Sequence, residues 1–352
     1  MQRIPTGLYR GLFLFTASML AVLVSTSTRG GEPTGIDTSN SAIENGTATS
    51  DIAGCPSFPA SNVWNTAVDQ LPVDPQSDNY VQSIGPNTGL HPDFGSGTWQ
   101  GQPIGIPYNV VTSAVPGVKV TFYYDGESDH GLYPIPSNPL IEGGSDRHIL
   151  IVEREQCYLY ELFDASLSGD QWSAGSGAIF SLHSNDLRED GWTSADAAGL
   201  PILPGLARYD EVAGGAIKHA LRFTVSETRN EHIWPARHDA SSNNDANLPP
   251  MGQRFRLKAS YQIPASFSPQ TKVILQALKT YGMILADNGS DWYISGVPDP
   301  GWNDDRLVPE LSQVKGSDFE AVDESSLMID PDSGMVSTYT PLPPQVWLPI
   351  LH

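Results

Sequence analysis

Apolar and polar residues alternate with a period of two in several short runs. These are "GVKVTFYYD" (117–125), "RHILIVE" (147–153), "CYLYELF" (157–163), "GAIFSL" (177–182), "KHALRFTV" (218–225) and "RFRLKAS" (254–260). Such alternation puts successive side chains on opposite faces of a strand. "YGMILADNGSDWYISG" (281–296) holds two more apolar runs around Asn288-Gly289, a pair suited to a type I′ hairpin turn. One segment, "SPQTKVILQALKTYG", has a helical period instead. Ser268 is its N-cap, Pro269 its first residue and Gly282 its stop, with Val273, Ile274, Ala277, Leu278 and Tyr281 on one face. Shorter helical turns are expected at 194–199, 206–213 and 304–313. Strands dominate, and helices do not alternate with them regularly. The expected fold is β-rich (all-β or α+β): an antiparallel sandwich or distorted barrel with one amphipathic helix at about 269–281 and long loops.

The two ends read differently from the middle. The start has Arg3 and Arg10 ahead of an apolar stretch from Gly11 to Val24, then small residues. That stretch is short for a bilayer span and fits a secretory signal over 1–27. Residues 28–53 are small, polar or acidic and read as a flexible leader. A single β-rich domain is expected over 54–326, and a Pro-rich strap over 327–352, packed down by Trp347, Leu348 and Ile350. "IAGC" (52–55) resembles a lipoprotein cleavage box but stands far beyond the apolar stretch. No later stretch is long and apolar enough for a membrane helix, so the expectation is a secreted, extracellular or periplasmic protein with no membrane association after signal removal. In that oxidising setting Cys55 and Cys157, the only cysteines, are expected to pair.

Charge narrows the partners. The 352 residues carry 40 acids against 19 bases, a formal net charge of −21. Such a surface repels phosphate backbones and anionic headgroups, which argues against nucleic acid and against polybasic membrane docking. Nucleophile-elbow, zincin, P-loop and dinucleotide motifs are all missing, and the two cysteines lack the spacing of a zinc knuckle.

Chemistry is sought where a residue breaks its local pattern. Glu161 shares a strand face with Cys157, Leu159 and Phe163. If that face is the core, burial raises the Glu161 pKa toward the range of a general acid; the competing role is a core glutamate paired with an arginine such as Arg222. His219 sits on the apolar face of its strand, as a core histidine or an acid/base group. Arg254, Arg256 and Lys258 share one face of "RFRLKAS", with Arg222 on another strand, and suit an anionic group of a substrate or the protein's own acids. In "IWPARHDA", Trp234 is placed to stack on a sugar, with Arg237 and His238 as hydrogen-bonding neighbours. Asp125, Glu127 and Asp129 alternate in a Gly-bounded loop that can wrap calcium, although the full loop signature is absent. Asp287 ends a strand before a turn and gains interest only if it lies across a cleft from Glu161.

Taken together, "SDRHILIVE…CYLYELFDA", "GWTSADAAGLPILPGLARYDEV", "KHALRFTV", "IWPARH", "PPMGQRFRLKA" and "YGMILADNG" resemble segments of a set of secreted bacterial proteins over about 55–325. The resemblance implies export and a single folded unit, and no functional residue is carried over from it. The functional expectation is an exported enzyme acting on a polysaccharide, an acidic one among the options, as a glycoside hydrolase or a polysaccharide lyase. Glu161 would be acid/base, His219 or Asp287 the second catalytic group, and Arg222, Trp234, Arg237, His238, Arg254 and Arg256 the substrate contacts. No cofactor is required, Ca²⁺ is an option, and oligomeric state is left open. The alternative is a non-catalytic glycan-binding or envelope-associated protein. Either way, Glu161 and the arginines near 255 must open onto one groove.

Overall fold

In the computed structural model, which describes residues 50–337, the period-two runs assemble into two main sheets, except that of 117–125, whose strand Val120–Phe122 pairs in a separate three-stranded sheet. A four-stranded sheet has the order Ser176–Ser181, Tyr158–Phe163, Ile149–Glu153, Tyr108–Val111. A six-stranded sheet has the order Phe319–Ala321, Arg254–Leu257, Met283–Asn288, Leu221–Val225, Tyr293–Ser295, His91–Asp93. The fold is therefore β-rich and sandwich-like, and among the described residues no barrel closes. The expected signal peptide, the leader up to residue 49 and the strap from residue 338 lie outside the described residues. Residues 50–53, assigned to the leader on composition, take part in a small two-stranded pairing of Asp51–Ile52 with Cys55–Pro56.

The sheets are mixed rather than antiparallel. Tyr108–Val111 runs parallel to Ile149–Glu153, Leu221–Val225 to Met283–Asn288, and Tyr293–Ser295 to His91–Asp93. Parallel neighbours need a long crossover. The chain supplies one between Leu221–Val225 and Met283–Asn288, which contains the strand Arg254–Leu257 and the helix Pro269–Thr280. That helix forms as its caps dictate: the Ser268 hydroxyl accepts the Thr271 N–H, and Gly282 ends it at φ +68°. The Asn288-Gly289 signal gives a different result. The strands it joins are not neighbours, because Leu221–Val225 lies between them. Gly289 instead donates to the Val225 carbonyl, and a Cβ there would stand 2.9 Å from the Thr224 hydroxyl. The glycine serves close approach, and neither turn residue has the positive φ of a type I′ turn. Of the three short helical segments expected, Tyr209–Ala213 and Asp304–Leu311 are helices, whereas 194–199 is a run of turns.

One core joins the two sheets. Leu150, Val152, Leu159 and Phe180 from the first pack in the same cluster as Leu221, Phe223, Phe255 and Leu285 from the second. The other face of the first sheet is covered too, with Ile149, Ile151 and Leu162 against Tyr133 and Ile135. This explains why all five residues of "ILIVE" are buried. The Cys55–Cys157 disulfide fastens the first small pairing to the start of the Glu161 strand, across 102 residues of chain. Among the described residues, no helix is long and apolar enough to cross a membrane.

Candidate functional site

The Cys157 face is the core face of its strand: Leu159 and Glu161 are fully buried. What meets Glu161 there is backbone. Its oxygens accept the Ile202 N–H at 2.8 Å and the Leu203 N–H at 2.9 Å. Burial raises its pKa to about 7, against the lowering effect of those two N–H groups. The segment 194–206 that supplies them is held between the sheets. It is tied to the first sheet by Glu161 and to the second by Arg222, whose guanidinium grips both oxygens of Asp196 at 2.9 and 2.7 Å.

Around this segment lies a seam of ionisable groups. Arg222 also donates to the Ser295 hydroxyl at 2.6 Å and stands 3.7 Å from Asp287. Burial opposes its charge, and Asp196 more than restores it, raising the pKa. His148 is buried as well. Burial would discharge it, but its bond to Glu142 raises its pKa to about 9, so the ring is an imidazolium donating to Glu142 and to the Ala195 carbonyl at 3.0 Å. Five carboxyls (Asp93, Glu142, Glu161, Asp196, Asp287) thus act on one another with only two cations, Arg222 and His148, among them. Two cations neutralise two carboxylates, here Asp196 and Glu142. Burial raises the pKa of the other three: Glu161 is met by two N–H groups, Asp287 shares Arg222, and Asp93 stays open to solvent.

Asp287 differs from Glu161 in access. Its side chain is 28 % exposed and lines a cavity of about 410 Å³ with Asp196, Glu127, Tyr124, Phe163 and His238. Burial, then the negative Asp196, raise its pKa to about 7, while Arg222 and His148 pull it down. His238 presents its Nδ1 to the Ala197 carbonyl at 2.7 Å, which requires a proton on that nitrogen. In the neutral ring its Nε2 then carries the lone pair, 3.9 Å from Glu127. Glu127 also accepts the Thr193 N–H at 3.3 Å. The cavity therefore joins a carboxyl that holds its proton near neutrality to two groups able to accept one.

Several expected site residues are elsewhere. Glu161 is fully buried, with the backbone of Ile202 and Leu203 across its oxygens. His219 is fully buried and satisfied, between the Ala220 carbonyl at 2.7 Å and Glu211 at 3.1 Å. Arg254 pairs with Glu324 and donates to the Val63, Thr66 and Tyr281 carbonyls. Arg256 pairs with Glu320 and donates to the Val68 and Leu71 carbonyls. The cationic face thus neutralises the protein's own acids and straps the chain near residues 63–71. Arg222 is absorbed by Asp196 rather than by Glu161. Arg237 is spent on Asp332 and on the Arg188 and Pro331 carbonyls. Trp234, half-buried, packs on the core and donates to the Ser333 carbonyl, away from the Asp287 cavity lining. In the acidic loop, Asp129 binds Arg188 and the Ile179 N–H, Glu127 turns to the cavity, and Asp125 lies exposed 3.7 Å from His130. These three do not converge, and among the described residues no group of three or more His, Cys, Asp or Glu side chains is placed to hold a metal ion.

The sequence reading passed over Asp93, Glu142, His148, Asp196 and Trp99. Trp99 has a readable signal: it sits in "GSGTWQGQP", flanked by glycines with no apolar run to bury it, and it is 71 % exposed. Asp196 and Glu142 lie in loops whose pairing depends on the distant Arg222 and His148. No protein-family model, no curated protein and no solved structure matches the chain.

Proposed function

We propose that the protein is an exported glycan-processing enzyme that hydrolyses a neutral or cationic polysaccharide in the Asp287 cavity. The observation that carries this reading is Asp287, partly buried and with its pKa raised by that burial to about 7, in one cavity with Glu127 and His238. Asp287 would donate to the leaving glycosidic oxygen. Glu127 or the Nε2 of His238 would take a proton from the attacking water. Tyr124 and Phe163 offer apolar surface to the sugar ring. The charge of the site favours hydrolysis over elimination at a uronic acid. Arg222, Arg237, Arg254 and Arg256 are already paired with the protein's own carboxylates, and the carboxyls lining the cavity would repel a substrate carboxylate. Export rests on the sequence of the first 27 residues and fits the disulfide.

The test is release of reducing ends from a panel of neutral, amino and acidic polysaccharides by the purified chain. Asp287→Asn is expected to lower kcat by about 10²- to 10⁴-fold with an unchanged near-ultraviolet circular dichroism spectrum. Full turnover in that variant would overturn the assignment. Binding of a glycan with no turnover of any would favour the second reading, a glycan-binding module, which the freely exposed Trp99 supports.

A further inference from the structure

A second cavity, of about 440 Å³, opens on the far side of His148 from the first. Its walls include His91, Asp93, Trp99, Glu142 and Tyr293. Three features make it a built recess. The short strands Thr98–Trp99 and Gln102–Pro103 form a hairpin whose two turn residues, Gln100 and Gly101, have φ of +51° and +81°, as a type I′ turn requires. The hairpin holds Trp99 out in solvent, where an indole gains nothing unless something covers it. Gly143 lets it seat against the loop after Glu142, since a Cβ there would come within 2.6 Å of Gln102. Across the recess, Tyr293 stacks on His91 with centroids 4.1 Å apart.

The polar groups point to the sign of the ligand. Asp93 makes no side-chain hydrogen bond or ion pair among the described residues. The cleft walls desolvate it enough to raise its pKa even though it is open on one side. Glu142 gives Oε2 to His148 and leaves Oε1 without a partner. Burial lowers the His91 pKa, so that ring adds no charge at neutral pH. Neither lysine nor arginine lines the recess. Two carboxyls with free oxygens beside aromatic faces are the arrangement that receives an organic ammonium: the N–H groups donate to the carboxylates and the C–H face lies on the ring.

We infer that the Asp93–Glu142–Trp99 recess binds a protonated amino sugar of the glycan, as a subsite adjoining the Asp287 cavity. This inference rests on the glycan reading above for the kind of molecule and on the recess alone for the charge.

The test is titration calorimetry at about pH 6 with a glucosamine trimer, its N-acetylated counterpart and a lysine trimer. It uses the full chain carrying Asp287→Asn, so that binding is scored whether or not the protein turns over glycan. The glucosamine trimer is expected to bind, about tenfold or more tighter than the other two, more weakly as salt rises. Asp93→Asn and Trp99→Ala should each weaken it by about tenfold or more. Trp99 is exposed, so Trp99→Ala decides the matter should Asp93→Asn fail to fold. Equal binding of the N-acetylated trimer would show a neutral-sugar subsite, and equal binding of the lysine trimer a peptide site. Either result, or binding untouched by Trp99→Ala, overturns the inference.

Discussion

Glu161 and Asp287 stand at two ends of the same charged seam, and burial raises both toward a pKa of about 7. Only one of them can meet a substrate. Glu161 is sealed by the 194–206 segment and spends its oxygens on two backbone N–H groups, so the carboxyl serves as an acceptor that holds that segment against the sheet. Asp287 has the same proton affinity with part of its surface in a cavity. A raised pKa reports desolvation; whether that becomes chemistry depends on what the other side of the carboxyl faces.

The sharpest way to break this contrast is to remove each carboxyl. Glu161→Ala should cost about 3–4 kcal/mol of stability, because it leaves two buried N–H groups without an acceptor and opens a void. Turnover per folded molecule should stay within about twofold, since no transition-state contact is lost. Asp287→Asn should do the reverse, shifting stability by less than about 1 kcal/mol at about pH 4, where Asp287 keeps its proton, while abolishing turnover. Urea denaturation alongside single-substrate kinetics gives both readings. A stable but inactive Glu161→Ala protein would return the catalytic role to Glu161.

The pH dependence of stability gives a smaller effect, and here the two residues should agree. Each is an acid whose folded pKa lies above its ordinary value of 4.5 or 3.8. The folded state therefore holds more protons than the unfolded chain between about pH 4 and 7. Stability is fully present below about pH 4 and lost as pH rises through about 7. His148 behaves likewise over a higher window: its pKa is raised from 6.5 to about 9, so its contribution is lost as pH passes 9. Glu310 has the opposite sign. Despite burial, its bonds to Thr271 and Ser268 hold it at about 2, and its contribution disappears in strong acid. Denaturation midpoints should therefore peak on the mildly acidic side and fall toward neutrality, each carboxyl contributing on the order of 3–4 kcal/mol. Glu161→Gln and Asp287→Asn should each flatten the fall between pH 4 and 7. A profile flat over that range would show that neither carboxyl is desolvated.

The sequence carried the strands and the one long helix because those depend on local periodicity and caps. "CYLYELF" and "RFRLKAS" appear as strands, and Ser268, Pro269 and Gly282 bound a helix where they should. The sheet order was not legible. Asn288-Gly289 reads as a hairpin, yet Leu221–Val225 enters between the two strands from far upstream, and no local pattern encodes that insertion. The site was legible only in part, for the same reason. That Glu161 would be buried follows from its own strand; what satisfies it is the backbone of Ile202 and Leu203. The arginine row was visible, but its partners, Glu320 and Glu324, come from a strand and a turn far along the chain. Asp287 and His238 were singled out separately, and only folding puts them in one cavity.

The smallest expected effect asks whether the sealed and open ends are electrically one unit. His148 carries its charge between them and pulls down the pKa of both Glu161 and Asp287. Both effects are minor beside burial. His148→Gln removes the charge and keeps a donor for Glu142 or the Ala195 carbonyl. Both carboxyls should then titrate higher, each by less than about one unit, equivalent to less than about 1.4 kcal/mol. Carbon-detected NMR of the side-chain carboxyls against pH reads the two shifts separately. If catalysis requires Asp287 in its protonated form, the alkaline limb of kcat should move up with the Asp287 carboxyl and ignore that of Glu161. Salt separates the two further, because ions enter the cavity and cannot reach the sealed end, so the Asp287 shift should shrink in salt while that of Glu161 holds. A shift at Glu161 alone would mean that solvent in the cavity already screens His148 from Asp287. The proton on Asp287 would then depend on its own burial and on Asp196, without help from the far end of the seam.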